Sequence, residues 1–259
     1  MQDMVNSLLE MIDRVVLPKE KPAIYIGGGI DSAVILYHLS RKTSETIYSY
    51  SFAMPELGYD ESKDAERVAK YFGTKHTLVI IRDLLEQTRS ILPKLRLPRF
   101  SVWVYWTAEK VKADGRENLY IGEGGDEHFG GYWYKPNNSY LQNWAGLHVY
   151  GLETYKMIHD LFGLKLHFPY MSLDIADTRQ FYDENHEKRF LREAYKGILP
   201  DFILKKRKQP AGPNELLLWK TELAKEFPEV HETLTDEQIR WYWNIWTMQE
   251  WLKSWAFIK

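Results

Sequence analysis

No cysteine occurs anywhere in the chain of 259 residues. Disulfides, thiolate metal ligands and a cysteine nucleophile are therefore excluded. No apolar run approaches the ~20 residues that a membrane-spanning helix needs. The opening stretch, 1–21, mixes charges with Met4, Leu8, Leu9, Ile12 and Val15 at near-helical spacing. That pattern predicts an amphipathic N-terminal helix within 1–20, not a signal peptide, so a cytoplasmic protein is expected. An excess of charge is missing too. The formal net charge is −2, which argues against a broad nucleic-acid surface. The eight histidines show no H-E-x-x-H pattern or other metal-pair spacing. There is no internal repeat and no low-complexity linker.

What is present can bury a sizeable core, because 44% of the residues are hydrophobic. Short apolar runs at 23–26, 46–52, 76–81 and 118–121 alternate with helical patterns at 31–41, 60–72, 83–91 and 102–114. Alternation of this kind predicts an α/β fold, a doubly wound and mostly parallel sheet. From about 140 onward the strand signal fades, with Pro169, Pro200, Pro210 and Pro213 as breaks. The expected organisation is one domain over 1–259: a nucleotide-binding core over 21–135, then a mainly helical part over 136–259. Trp241, Trp243, Trp246, Trp251 and Trp255 form a rough helical stripe. It reads as a core or subunit-interface helix, and a homo-oligomer is compatible with it.

Two glycine-rich segments carry the chemistry. The run Ala23 to Ile26 leads into Gly27-Gly28-Gly29-Ile30-Asp31-Ser32 and then a helix. Glycines let backbone approach a ligand closely, and a helix start offers unpaired N–H groups to an anion. Ser32 adds a hydroxyl donor and Asp31 can hold a divalent cation, which suits a magnesium-bound pyrophosphate group. The Gly-Lys-Ser/Thr ending of a Walker loop is absent, and so is the G-x-G-x-x-G dinucleotide fingerprint. Further on, Asn118 to Ile121 leads into Gly122-Glu123-Gly124-Gly125-Asp126-Glu127-His128-Phe129-Gly130-Gly131-Tyr132. A turn needs one or two glycines, not five with carboxylates between them. Asp126 reads as a second magnesium ligand, since that cation takes oxygen ligands. Glu123 reads as a carboxylate facing the reacting centre. His128 lies inside the second segment and His76 in another motif segment, Phe72 to His76, and both read as packing or capping groups.

Together the two loops resemble the synthetase domain of the glutamine-dependent (class B) asparagine synthetases, within the pyrophosphate-loop ATPase superfamily. That family carries S-G-G-x-D-S and S-G-E-G-x-D-E-x-F-G-G-Y; here the segments are Gly27 to Ser32 and Ile121 to Tyr132. Phe72 to His76, Phe168-Pro169-Tyr170, Leu199 to Ile203 with Lys206-Arg207-Lys208, and Ile245 to Leu252 follow in the family's order. The resemblance implies an ATP-dependent, AMP-forming ligase. A carboxylate, L-aspartate in the family, attacks the α-phosphate of ATP and releases pyrophosphate; ammonia then displaces AMP to give the amide. It implies ATP and Mg²⁺ as cofactors. The nucleotide is handled by Gly27, Gly28, Gly29, Asp31 and Ser32, by Ser51, Phe52 and Met54 around the adenine, and by Gly122 and Lys208. The metal ligands are Asp31 and Asp126, and the catalytic groups are Glu123 and Lys208.

Several positions depart from the family pattern. The first loop serine is Gly27 and the serine before G-E-G is Ile121. The aspartate of P-F-L-D is Ser172, and the arginine position before it is His167. The segment after Lys208 reads Gln209-Pro210-Ala211-Gly212. Nothing corresponds to the family's glutaminase half, which opens on a cysteine: Gln2 follows Met1, and 26 residues precede the first glycine loop. A synthetase unit standing alone is expected, supplied by free ammonia, a substrate amine or a separate glutaminase subunit. Three alternatives stay open. One is a related amidotransferase or cyclising synthetase using another carboxylate or amine. Another is a tRNA-modifying enzyme of the same superfamily, against which the second motif counts. The third is a nucleotide-binding regulatory protein without catalysis.

Overall fold

A computed structural model describes residues 2–97, 101–132, 140–209, 212–231 and 233–256; at 2, 148–150 and 256 the description stops at the backbone. Pro210, Ala211 and the expected boundary at 135 lie outside the described residues. Six strands are present among them: β1 (Pro22–Tyr25), β2 (Tyr48–Met54), β3 (Tyr59–Asp60), β4 (Lys75–Ile80), β5 (Asn118–Tyr120) and β6 (Lys165–His167). The first five helices are α1 (Gln2–Val15), α2 (Ile30–Lys42), α3 (Ser62–Phe72), α4 (Leu84–Ile91) and α5 (Val104–Ala113). After β5 come α6 (Gly125–Phe129), α7 (Tyr140–Gly146), α8 (Glu153–Asp160), α9 (Ile175–Thr178) and α10 (Arg189–Ala194). The last three are α11 (Asp201–Leu204), α12 (Glu215–Thr221) and α13 (Asp236–Ala256).

Five strands run parallel in the order β4-β2-β1-β5-β6, and β3 pairs antiparallel with the end of β2. The mostly parallel α/β sheet read from the alternation is therefore the observed one. Side chains alternate across each strand, and the two faces meet different helices. Ala23 and Leu119 pack with Leu84, Val104, Leu218 and Trp243 on one side. Ile24 and Tyr120 pack with Leu8, Val34, Val68 and Leu191 on the other. Burial on both faces is what an all-parallel core requires.

Chain order moves outward from β1 through β2 to β4, then returns to the other side of β1 for β5 and β6. The switch point thus lies between β1 and β5, and ligands of open α/β sheets bind beyond the carboxyl ends of strands at such a point. Both glycine loops begin there.

Two strands are absent from the sequence-based reading. β3 is two residues long, and it delays the helix expected from 60 until Ser62, whose N–H bonds Asp60 Oδ1 at 2.9 Å. β6 offers one apolar residue, Leu166, in register with Leu119 of β5. The tryptophan-rich helix splits by face. Trp243 and Trp246 are buried in the core, with centroids 5.4 Å apart, whereas Trp241 and Trp255 are exposed. Arg89 ties α13 to α4 through Glu250 at 3.1 Å and also reaches Glu226 at 2.7 Å. Among the described residues, no helix is long and apolar enough to cross a membrane.

Removing the most buried of these rings will be felt throughout the sheet. Trp243→Ala is expected to cost about 3–5 kcal/mol of stability, read as a lower urea midpoint at unchanged slope. A loss below ~1 kcal/mol would show that α13 is not part of the cooperative core.

Candidate active site

β1 ends at Tyr25, and the Ile26 N–H still bonds Tyr50 O at 2.9 Å. The three glycines then turn the chain into α2, whose N-cap, Gly29, makes no side-chain capping bond. First-turn N–H groups are thus available to a ligand. Gly27, Gly29, Asp31 and Ser32 line a cavity of about 150 Å³. Ser51, Phe52 and Tyr59 line its β2 side, and Gly122, Glu123 and Tyr155 line its β5 side. Met54 is fully buried in the core and is not among these lining groups. Gly28 faces Asp64 and Lys206 instead.

The loops are glycine-rich because they are packed on neighbouring side chains. A Cβ at Gly125 would stand 2.6 Å from Asp31 Oδ1. A Cβ at Gly27 would stand 2.8 Å from Glu61 Oε2, so Glu61 fills the space that a serine would occupy in this loop. Glu61 in turn pairs with Lys206 at 2.8 Å, and Asp64 also holds that ammonium. Tyr170 closes the arrangement by donating its hydroxyl hydrogen to Asp31 O at 2.9 Å.

Asp31 and Asp126 meet at one ammonium, that of Lys188. Its Nζ pairs with Asp31 Oδ2 and lies 2.5 Å from Asp126 Oδ1. Lys208 Nζ pairs with Asp126 Oδ2 at 2.7 Å. Burial pushes the Asp126 carboxyl up, but Lys188 and Lys208 outweigh it and hold the group below the usual carboxylate range. Asp31 Oδ1 is buried with no hydrogen-bond partner. Magnesium is typically bound through one or two carboxylates plus phosphate oxygens. Asp31 and Asp126 fit that donor set and are the residues that could hold it.

Lys188 is absent from the sequence-based site because Glu187-Lys188-Arg189 looks like a solvated charge run. The fold buries it: Lys188 is 2% exposed. Its φ of 55° is a left-handed conformation, costing a non-glycine residue about 1–2 kcal/mol. The buried Asp183 imposes this turn. Its carboxylate accepts N–H bonds from Asn185 at 3.1 Å, Glu187 at 3.3 Å and Arg189 at 3.0 Å. The Lys188 N–H itself bonds Gly130 O at 3.1 Å, anchoring the turn to the second glycine loop.

In the cavity that Asp126 and Lys208 also line, burial raises the Glu123 carboxyl above its usual range, and Lys208 pulls it down only in part. The Tyr155 hydroxyl of α8 is a neighbour of Glu123 that draws its carboxyl down. Nothing in the sequence pointed to Tyr155, which sits 32 positions beyond Glu123 on a helix whose role is set by packing. Beside it, His159 Nδ1 bonds Tyr155 O at 2.6 Å, which fixes that nitrogen as the donor, so Tyr25 donates to Nε2 at 2.8 Å. Burial and the neighbouring Asp126 push Glu127 up to about 8, and it accepts from Tyr132. His76 bonds Ser49 at 2.9 Å and Ser51 at 3.1 Å, and His128 bonds Thr178 at 2.6 Å. Both histidines brace the scaffold.

Lys188→Met leaves two buried carboxylates sharing less positive charge. We expect a loss of about 3 kcal/mol at pH 7 in ligand-free protein. Asp126 is held low, so its stabilisation is present above the unfolded carboxylate value of ~3.9 and lost as the pH falls below it. The deficit of the variant should therefore shrink as the pH falls below about 4. Equal stability of both proteins at pH 7 would contradict the arrangement.

The family model for asparagine synthase matches residues 8–172. Escherichia coli asparagine synthetase B [glutamine-hydrolyzing] is 26% identical, with 72% of this chain and 40% of that protein covered. A probable asparagine synthetase [glutamine-hydrolyzing] of Acanthamoeba polyphaga mimivirus is 24% identical, with 93% of this chain and 48% of that protein covered. The chain spans less than half the length of these relatives. Among solved structures, NMN synthetase from Francisella tularensis covers 96% of this chain and 94% of its own at a TM-score of 0.45 and 13% identity. The match of the family model over most of the chain, on the residues that build both glycine loops, places this protein in the asparagine synthase family.

Proposed function

We propose that the chain is an ATP-dependent amide-forming ligase that adenylates a carboxylate, with L-aspartate the first candidate, and then transfers ammonia or an amine to it. Membership of the family supports ATP-dependent amidation in general. The observation that carries the finer reading is the convergence of Asp31, Asp126, Lys188 and Lys208 at the switch point, with Glu123 lining the same cavity as Asp31, Asp126 and Lys208.

In this reading a carboxylate oxygen attacks the α-phosphorus of ATP, and the bond to the β-phosphate oxygen breaks with its electron pair leaving on pyrophosphate. Lys188 and Lys208 offset the negative charge that gathers there. The Ser32 hydroxyl and the first-turn N–H groups of α2 donate to the same oxygens. Magnesium held by Asp31 and Asp126 would supply further charge neutralisation. In the second step nitrogen attacks the acyl carbon, Glu123 takes its proton, and AMP leaves with the electron pair of the broken C–O bond. A raised carboxyl suits a general base, and Tyr155 orients it. Nitrogen would come from free ammonia, a substrate amine or a separate glutaminase subunit.

The acceptor is a separate question. Where the family has an arginine, His167 bonds Asn118 Oδ1 at 2.9 Å and stacks on Tyr120 at 4.9 Å. That side chain serves the sheet, which favours testing other carboxylates and amines beside aspartate and ammonia.

Release of pyrophosphate and AMP from MgATP, with aspartate and ammonium supplied, tests the reading. Asp126→Ala should lower kcat/KM at least ~100-fold. Glu123→Gln should leave pyrophosphate release largely intact and slow amide formation about 10²–10⁴-fold. Because the base must be ionised, amide formation should fall as the pH drops through the raised Glu123 value. Tyr155→Phe removes a donor that lowers that value, so its acid limb should move to higher pH. ATP turnover in Asp126→Ala equal to wild type would sink the reading.

A further inference from the structure

Among the described residues α13 is the longest helix, at 21 residues. The core uses one side of it, where Ile239, Trp243 and Trp246 are buried. On the other side Trp241, Met248, Leu252 and Trp255 are 58%, 43%, 55% and 48% exposed. Their positions fall within a strip about 60° wide on a helix of 3.6 residues per turn. A strip of large apolar side chains in water, two of them indoles, marks an interaction surface.

The strip is symmetric about its own middle. Counted from Met248, the face carries Trp241 at −7, Asn244 at −4, Ile245 at −3, Trp251 at +3, Leu252 at +4 and Trp255 at +7. These spacings read the same in both directions. A second α13 laid antiparallel and crossing at Met248 sets that methionine on its copy. Each Trp241 then meets a Trp255, each Ile245 a Trp251 and each Asn244 a Leu252. Steps of three and four are those with which the side chains of one helix fill the holes of another. Trp251 is already held in place, by its indole N–H bond to Leu95 O at 2.8 Å. Charges stand off the seam and are paired within the chain: Arg240 with Glu215 at 2.6 Å, and Glu250 with Lys253 at 2.6 Å and Arg89 at 3.1 Å. Glu237 does reach the face. A parallel pair would set it on its own copy, whereas the antiparallel pair parts the two by about 33 Å of helix. Antiparallel packing also brings the positive end of one helix dipole beside the negative end of the other.

We propose that α13 is a dimerisation helix: two copies of this chain pair antiparallel through it, around a two-fold axis at Met248. Such an interface uses the same patch on both copies. The four exposed side chains alone offer roughly 450 Å² per copy, over half of the ~800 Å² that one partner contributes to a standard interface. The proposal is independent of the ligase chemistry and stands or falls without it.

Sedimentation of the whole chain gives the first test. The wild type should run at twice 30.7 kDa. Met248→Lys places two ammonium groups on the axis and should raise the dimer Kd at least ~100-fold. Mixing Met248→Lys with Met248→Glu should restore the dimer, which only a contact of position 248 with itself explains. The chain has no cysteine, so introduced thiols report the direction of pairing, since a disulfide needs Cα atoms within about 7 Å. Trp241→Cys should link to Trp255→Cys of a second chain and not to itself, because its own copy lies about 21 Å away along the axis. A wild type that is monomeric at ~50 μM overturns the proposal and leaves the face to a different protein or a lipid surface. A dimer indifferent to Met248→Lys, or Trp241→Cys linking to its own copy, overturns it as well.

Discussion

The site depends on one buried cation. Lys188 lies between Asp31 of the first glycine loop and Asp126 of the second, and those loops come from β1 and β5 on the two sides of the switch point. Without a positive charge there, two carboxylates would be forced together away from water, which is among the costliest arrangements a fold can hold. With it, three distant segments become one object. The requirement propagates outward. Asp183 has to shape a turn with a left-handed lysine, Gly130 has to accept its N–H, and Gly125 and Gly131 have to lack side chains.

Two further ion sets frame this centre. Lys206 sits between Glu61 and Asp64 and packs on the first glycine loop, while Lys208 reaches Asp126. Two lysines of one short segment thus serve different walls of the site. Glu123 lines the same cavity as Lys208, kept above the usual carboxylate range by burial, with Tyr155 beside it. The contrast is what the proposed mechanism uses: the carboxyl beside two ammonium groups stays ionised, and the one among aromatic rings is the group proposed as the base.

Much of the fold could be read from the sequence, because strands and helices of ordinary length carry their own periodicity. β1, β2, β4 and β5, with α2 through α5 between them, all coincide with apolar runs or helical patterns. β6 could not be read, since three residues with one apolar side chain have no period, and its place is set by pairing with β5. The same distinction holds in the site. Glu123, Asp31 and Asp126 stand in motifs whose glycine content is a local signal, and Lys208 was legible through the resemblance of its segment to the family's. Lys188 and Tyr155 are brought in by tertiary packing, from a turn and a helix whose sequences look like solvated surface and ordinary core. Gly27 was legible as a departure, but its cause, the Glu61 carboxylate against it, was not.

The chemistry proposed for this arrangement is the transfer of AMP to a carboxylate. The most direct measurement supplies MgATP, ammonium and a carboxylate substrate labelled with ¹⁸O in the carboxyl group, and follows the label by mass spectrometry. Attack at the α-phosphorus predicts that one labelled oxygen appears in the phosphate of AMP, equal in amount to the amide formed. Unlabelled AMP, or label in inorganic phosphate with ADP as the nucleotide product, would contradict the account.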